Sequence, residues 1–405
     1  MSRQFEITFA AVGEGVVYRY EKHGKTTWSA ELRDGILRLE CRYDWTDEPL
    51  VLTAEAGQGD PVLLRCYPYR LELYVGGKLC DEEWPYGEET LSGSVLADGS
   101  APNIADFVAP ERPEPPAVLG SFVGAEGWNP GGGVFVGDCM PYSHEGRYHV
   151  LYLYDRHHHA SKWHRGAHQW AHISSADMVH WDIHPMAVEI DDPKEGSICT
   201  GSWIYTGKEH QLYYTVRMVD GSPAPVMRSV SSDGYRYRKD KSFGFTLSDR
   251  YNKASARDPK VVRDAEGLLH MFVTTTDLKA GRGCLAHLVS SDGDDWREVG
   301  NIYESPDERE PECSDYFEFG GKYYLIYSLG GRGHYQFSDS PFSGWIVPDD
   351  PIIPCSSVPK AAVWNGRIIF TGFSGNGKYA GTMTFREAHQ MPDGTLRFSG
   401  HRSCW

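Results

Sequence analysis

The sequence predicts an all-β chain, an N-terminal β-sandwich followed by a five-bladed β-propeller. Three observations carry this. Short alternating segments punctuated by turn formers fill residues 1–108. A Pro-rich stretch, Ala109-Pro110-Glu111-Arg112-Pro113-Glu114-Pro115-Pro116, then interrupts the pattern. Beyond it a hairpin recurs five times, followed in four repeats by a Ser-Asp turn.

In the first region the strand-like segments run from Gly15 to Tyr20, Gly35 to Tyr43, Leu50 to Ala54, Pro61 to Cys66 and Arg70 to Val75. Arg33-Asp34-Gly35, Gly57-Gln58-Gly59-Asp60 and Gly76-Gly77 separate them. Short strands with this punctuation indicate a sandwich. The hairpin from Arg70 to Leu79 resembles those of laminin-G-like, concanavalin-type sandwiches. Residues 109–120 read as a stiff linker, because proline favours extended backbone and removes ladder donors. Residues 121–405 are then the propeller.

Each propeller repeat has a hairpin whose second strand is aromatic or apolar. The examples start at Gly146, Lys208, Glu266, Gly320 and Asn365. Matching Tyr148, Gln211, Leu269, Tyr323 and Arg367 gives intervals of 63, 58, 54 and 44 residues. A Ser-Asp turn leads into an outer strand at Ser175-Ala176-Asp177, Ser232-Asp233-Gly234, Ser291-Asp292-Gly293 and Ser338-Asp339. Five repeats of about four strands each make a five-bladed propeller. A large sandwich would not repeat hairpin and turn in phase.

Composition narrows the function. The net charge of -16 repels phosphate backbones and anionic lipid, which argues against nucleic-acid and membrane-surface roles. No apolar run approaches the ~20 residues of a membrane span. The start, Met1-Ser2-Arg3-Gln4-Phe5-Glu6, has no basic region leading into an apolar one, so no signal peptide is expected. Nine scattered Cys without a CxxC pair read as reduced thiols of a cytoplasmic protein, with no zinc site. Aromatic residues at 13% suit stacking on sugar rings, and equally suit an ordinary all-β core.

Three acidic motifs recur in order: Gly137-Asp138, Arg257-Asp258-Pro259 and Glu312-Cys313-Ser314-Asp315. Each precedes a short aromatic-rich strand, a placement that brings acids of successive repeats to a common axis. Converging carboxylates are what glycosidic bond cleavage requires. Each acid also has a plainer reading. Asp138 and Asp258 could be turn residues bonding their own backbone. Glu312 could be a surface member of the acidic run from Asp307.

The segment Trp170-Ala171-His172-Ile173-Ser174-Ser175-Ala176-Asp177-Met178-Val179-His180-Trp181 resembles, without a gap, one found in the β-fructofuranosidases (invertases, levanases and inulinases). Tyr148-His149-Val150-Leu151-Tyr152, Arg257-Asp258-Pro259 and Glu312-Cys313 are similar to further motifs of that family, in the same order. The resemblance covers residues 128 to about 345. It implies Asp138 as nucleophile, Asp258 as transition-state stabiliser with Arg257 beside it, and Glu312 as general acid/base. Two ionised aspartates crowding Glu312 would keep it protonated.

The implied activity is hydrolysis of a β-fructofuranoside or similar furanoside, with retention and no cofactor. The alternatives are the inverting chemistry of arabinofuranosidase- and xylosidase-type propellers, or a non-catalytic carbohydrate-binding protein. The partner in each case is an oligosaccharide or glycoside. The chain departs from the family around the nucleophile, in Val136-Gly137-Asp138-Cys139-Met140-Pro141, and at Leu153, where a polar sugar contact is usual. Its sandwich also precedes the propeller, where the family's usual one follows.

The tract from His157 to Gln169 has no counterpart in ordinary invertases. It reads as a metal-binding tract or as a loop over the propeller mouth. Gly166 and the flanking aromatics favour the loop, in which Trp163, His168, Gln169 and Trp170 would touch sugar. Trp128 and Asn129, before Gly131-Gly132-Gly133, and Ser202, in Cys199-Thr200-Gly201-Ser202-Trp203, are further candidate sugar contacts.

Overall fold

The computed structural model describes residues 4–42, 49–67, 70–83, 91–108, 113–156, 168–192, 194–218, 220–354, 357–375, 377 and 379–399. The chain divides into two compact units. One is Met1–Pro113 with Ile190–Glu195; the other is Glu114–Glu189 with Gly196–Trp405.

The first unit contains two antiparallel five-stranded sheets. In one, Phe5–Ala10 is flanked by Asn103–Asp106 and Pro61–Cys66, and Leu71–Val75 and Lys78–Glu83 follow. In the other, Leu50–Glu55, Ile36–Cys41, Lys25–Arg33, Gly15–Lys22 and Val95–Leu96 lie side by side. Alternation decides which faces meet. Phe5, Ile7 and Phe9 of one sheet and Trp28, Ala30 and Leu32 of the other are buried in one core, while their sequence neighbours face outward.

The second unit is the propeller. Blade 1 comprises Val134–His144, Arg147–Arg156, His168–Ser175 and His180–Ile183, with Gly120–Val123 on its outer edge. Blade 2 comprises Glu195–Tyr205, His210–Met218, Val226–Ser231 and Arg238–Lys239. Blade 3 comprises Arg257–Arg263, Leu269–Asp277, Arg282–Ser290 and Arg297–Glu304. Blade 5 comprises Ser357–Trp364, Arg367–Gly375, Gly381–Gln390 and Leu396–Phe398. Val136 pairs with Gly381, joining blades 1 and 5 and closing the ring.

Blade 4 differs from the four-strand expectation. It has three strands, Glu312–Phe319, Lys322–Leu329 and Arg332–Ser338. Isolated bridges, His334 to Ile352 and Phe337 to Ile346, stand where a fourth would run. Pro348, Pro351 and Pro354 in that stretch cannot donate to a ladder, so pairing stops after single bridges.

The Ser-Asp turns have a common mechanism. Asp177 Oδ1 accepts the amides of Val179 and His180, both at 2.8 Å. Asp233 Oδ1 does the same for Tyr235 and Arg236, and Asp292 Oδ1 for Asp294 and Asp295. The serine that caps each turn is Ser175, Ser231 or Ser290, whose Oγ accepts the amide of Met178, Gly234 or Gly293. In the second and third turns this is one residue before the serine named from sequence. Trp181 and Trp296 then fold back, their indole N–H groups donating to the carbonyls of Met178 and Gly293. Trp181 is fully buried among blade 1 and blade 5 residues. Burial of a ring that size is worth roughly 4–6 kcal/mol before entropy.

Between blades 1 and 2 lies a run of histidines. His149 Nδ1 is 3.0 Å from His172 Nε2, and His184 Nε2 is 2.7 Å from Ser174 Oγ. Tyr142 stacks between His149 and Trp203, and Tyr235 lies against His172 and His184. Burial pushes His149 down to about 2 and holds His172, His184 and His210 below the ordinary histidine range. A base with a depressed folded value stabilises the fold above its unfolded value near 6.5 and loses that contribution as pH falls. The midpoint of thermal unfolding is therefore expected to drop steadily as pH is lowered from 7 to 5. His172→Phe, which cannot charge, should flatten that dependence in a calorimetric series.

Candidate active site

A bulge in the innermost strand of a propeller blade re-aims its side chains. Four inner strands here carry such a bulge. Register shifts occur between Val136 and Cys139, Arg257 and Lys260, Glu312 and Asp315, and Ser357 and Lys360. The bulged pairs are Gly137-Asp138, Asp258-Pro259, Cys313-Ser314 and Val358-Pro359. Asp258, Cys313 and Val358 have left-handed backbone, with φ of 55°, 52° and 49°. Such φ values cost about 1–2 kcal/mol each for residues with a Cβ. Bulges of this kind re-aim side chains beside functional sites.

The re-aimed groups share one cavity of about 400 Å³, lined among others by Asp138, Leu153, Thr200, Arg217, Arg257, Asp258, Glu312, Cys313 and Tyr379. The three acids named from sequence are thus brought together. Cys313 bridges the two aspartates. Its Sγ is 3.3 Å from Asp138 Oδ2 and 3.4 Å from Asp258 Oδ2, and its amide donates to Asp258 Oδ2 at 2.9 Å. Thr200 Oγ1 donates to Asp258 Oδ1 at 2.5 Å. Asp138 is held from blade 5, where the Tyr379 hydroxyl donates to its Oδ1 at 2.9 Å and accepts its amide at 3.2 Å.

Glu312 stands differently. Its side chain is 50% exposed, and its Oε1 accepts from Arg257 Nη2 at 3.0 Å. Arg257 also binds Glu310 through Nη1, and Glu310 accepts from Ser255 and Thr276. Glu312 therefore has a guanidinium as its immediate partner, not the pair of aspartates that the sequence suggested. The carboxyl pushed up in this site is Asp138, to about 6, chiefly by burial and then by the charge of Asp258. Tyr379, His168 and Cys313 pull in the opposite direction. Two lysines stand on the inner strands that carry or neighbour these groups. Lys260 pairs with Asp315 at 2.6 Å, and the Lys360 ammonium, on a residue 2% exposed, reaches the Gly201 carbonyl at 3.2 Å.

As the nucleophile that the sequence implies, Asp138 would act in its ionised form, which sets the sign of its pH effect. Protonation removes reactive carboxylate as pH falls through about 6, and kcat/KM is expected to drop tenfold per unit below that value. In stability the same group works the other way. Between about pH 4 and 6 the folded state binds the extra proton, so its contribution falls as pH rises through that window. Assays after return to pH 7 separate this limb from unfolding driven by the histidines.

Of the sugar contacts expected from sequence, Arg257 lines the cavity. The others that the structure describes do not. Ser202 spends its hydroxyl as a strap between blades 2 and 3, donating to the Pro259 carbonyl and accepting the Val261 amide. Thr200, two residues earlier, occupies the cavity wall instead. Trp170 is fully buried, with its indole N–H on the Cys199 carbonyl. His168 is also fully buried, on Asp155, and Gln169 is 8% exposed. Trp128 stacks on Phe122 at 4.3 Å, and Asn129 caps a turn by accepting the Gly131 amide. Trp163 and the rest of the tract from His157 lie outside the described residues. Among those described, no group of His, Cys, Asp and Glu could hold a metal ion.

Sequence reasoning missed Thr200, Cys313 as a ligand of both aspartates, Arg217 and Tyr379. Cys313 was visible as the neighbour of Glu312. Tyr379 had no local signal, since it meets Asp138 across 241 residues of chain.

The family model described as "Glycosyl hydrolases family 32 N-terminal domain" matches residues 139–346, just over half of the chain. The chain belongs to glycosyl hydrolase family 32. Asp258 and Glu312 lie inside the matched segment of this family 32 chain, and Asp138 lies one residue before it. The chain is 29% identical over 216 residues to a sucrose-6-phosphate hydrolase of Escherichia coli, covering 50% of this chain and 43% of that one. It is 27% identical over 195 residues to a raffinose invertase of Escherichia coli, covering 46% and 39%. It thus spans about two fifths of the length of these curated relatives. The fold is like that of sucrose-6-phosphate hydrolase from Lactobacillus gasseri, with TM-score 0.55, 15% identity and coverage of 65% and 60%. It is equally like fructan 1-exohydrolase IIa from Cichorium intybus, with TM-score 0.55, 16% identity and coverage of 68% and 59%.

Proposed function

We propose that this family 32 chain hydrolyses a β-fructofuranoside or similar furanoside by double displacement, with the propeller unit as the catalytic domain. The observation that carries the reading is the convergence of Asp138, Asp258 and Glu312 on one cavity, with one thiol bonded to both aspartates. Asp138 attacks the anomeric carbon. Tyr379 holds one carboxylate oxygen and leaves the other toward Cys313. Asp258 keeps its charge beside the forming oxocarbenium ion, fixed by Thr200 and the Cys313 amide. Glu312 reaches the cavity from its rim, where a seated sugar covers its exposed half and presents the glycosidic oxygen. It protonates the leaving group and then deprotonates water.

The substrate follows from the walls. Leu153 presents an apolar surface where a polar contact is usual in β-fructofuranosidases, and it is 2% exposed. An unpaired sugar hydroxyl in a buried site costs about 1–3 kcal/mol. Sucrose is therefore expected to be a poor substrate relative to a short fructose- or arabinose-containing oligosaccharide. A panel of fructosides and arabinofuranosides, with the first-formed anomer read by NMR, tests the reading. Retained configuration on a furanoside is the expected result. Inversion would transfer the site to the single-displacement class, and no turnover of any panel member would remove the hydrolase reading.

A further inference from the structure

Behind Asp138 stands a group of residues that the displacement chemistry does not use. His168 and Asp155 face each other across adjacent strands of blade 1, at the ends that flank residues 157–167. Both are fully buried, and His168 Nε2 lies 2.8 Å from Asp155 Oδ1. A carboxylate accepts, so Nε2 carries the hydrogen. The imidazole also lies against Tyr379, with ring centroids 5.3 Å apart and planes 32° from parallel. Tyr379 in turn grips Asp138 twice, through the carboxylate and through the backbone amide.

The approach of Tyr379 constrains its neighbours. A Cβ added to Gly137 would lie 2.8 Å from the Tyr379 hydroxyl and 3.0 Å from Leu153 Cβ. The residue before Asp138 is thus a glycine where the tyrosine comes in. Burial keeps the Tyr379 phenol well above its ordinary pKa, so it remains a donor across the working range. Fixing both the amide and one oxygen of a residue leaves its carboxylate a single orientation, which is how positioning groups contribute to rate.

We propose that Tyr379, backed by the buried Asp155–His168 pair, is the positioning unit of Asp138, fixing the orientation and the ionised form of its carboxylate. This rests on the reading of Asp138 as nucleophile. The groups that face Asp138 are Asp258 from blade 3, Cys313 from blade 4, Tyr379 from blade 5 and His168 from its own blade. Asp258 opposes ionisation, and the other three favour it. Removing Tyr379 or His168 therefore shifts the balance toward the protonated carboxyl.

The test compares Tyr379→Phe and His168→Gln with the full-length wild type. Tyr379→Phe keeps the ring and loses both hydrogen bonds. It is expected to lower kcat about 10- to 100-fold with KM changed less than about threefold. The acid limb of kcat/KM should move up by roughly half to one pH unit in both variants. Carbon-13 NMR titration of labelled aspartates, with Asp138 assigned by its absence in Asp138→Asn, reads the same shift without turnover. The wild-type midpoint should lie near 6 and the variants above it. If Tyr379→Phe keeps wild-type kcat and an unmoved titration while Asp138→Asn is inactive, the positioning proposal fails and the glycosidase reading stands. If no furanoside is cleaved by any form, the NMR shift alone decides the proposal. A fall in thermal stability with an unmoved titration would make the trio merely structural.

Discussion

Asp138→Asn is expected to lower kcat by about 10⁴- to 10⁶-fold while leaving the fold and sugar binding in place. The amide is nearly the same size; its oxygen can still accept from Tyr379, while its NH2 takes the place beside the Cys313 sulfur. It cannot form the glycosyl ester, because its lone pair is a far poorer nucleophile. Loss of a nucleophile that acts as one unit with its partners typically removes nearly the whole rate enhancement. The substitution also relieves a cost. A buried carboxylate beside Asp258 becomes neutral, so thermal stability near pH 7 should rise or hold, not fall. Steady-state kinetics together with calorimetry checks both halves. A folded variant with near-normal kcat would discard Asp138 as the attacking group.

Glu312→Gln should show a different pattern. General acid catalysis contributes about 10²- to 10⁴-fold, and it is needed in proportion to the basicity of the leaving oxygen. The variant is expected to lose about that much on a sugar leaving group. It should lose under about tenfold in the first displacement on an aryl fructoside, whose phenolate departs unassisted. Burst kinetics separates this first step from the slowed second one. The Arg257 partner remains held by Glu310, so the amide at 312 should leave the guanidinium in place. An equal loss on both substrates would assign Glu312 a binding role.

Much of the fold was legible because its signals are local. Aromatic or apolar second strands recur in all five blades and serine–aspartate turns in four, and the turn hydrogen bonds close within three residues. The missing fourth strand of blade 4 was also written locally, in Pro348, Pro351 and Pro354, but the regular repeat masked it. The acids were legible for a related reason. Each stands in the bulge of its inner strand or directly beside it.

Side-chain direction was not legible. His168–Ser175 is buried on every residue, so no alternation in that strand marks which side chains meet the cavity. His168, Gln169 and Trp170 consequently read as surface contacts when they are interior. In blade 2, Thr200 and Ser202 point the same way from one strand, yet two residues of strand separate them by about 6–7 Å along the axis. One therefore lines the cavity and the other straps the blades below it. Tyr379 was beyond local reading altogether, because only closure of the ring brings blade 5 against Asp138.

A sugar is expected to become covalently attached to Asp138 and to no other residue. Glu312→Gln offers the means to see it, since an aryl fructoside can load the site quickly while the second step lacks its base. Intact-mass measurement after rapid acid quench, followed by peptide mapping, reads the result directly. The predicted outcome is one fructosyl residue per chain, on the peptide carrying Asp138, and none in the Asp138→Asn/Glu312→Gln double variant. Turnover of the aryl fructoside with no adduct and an inverted first product, or an adduct on another carboxylate, would rule out Asp138 as the nucleophile.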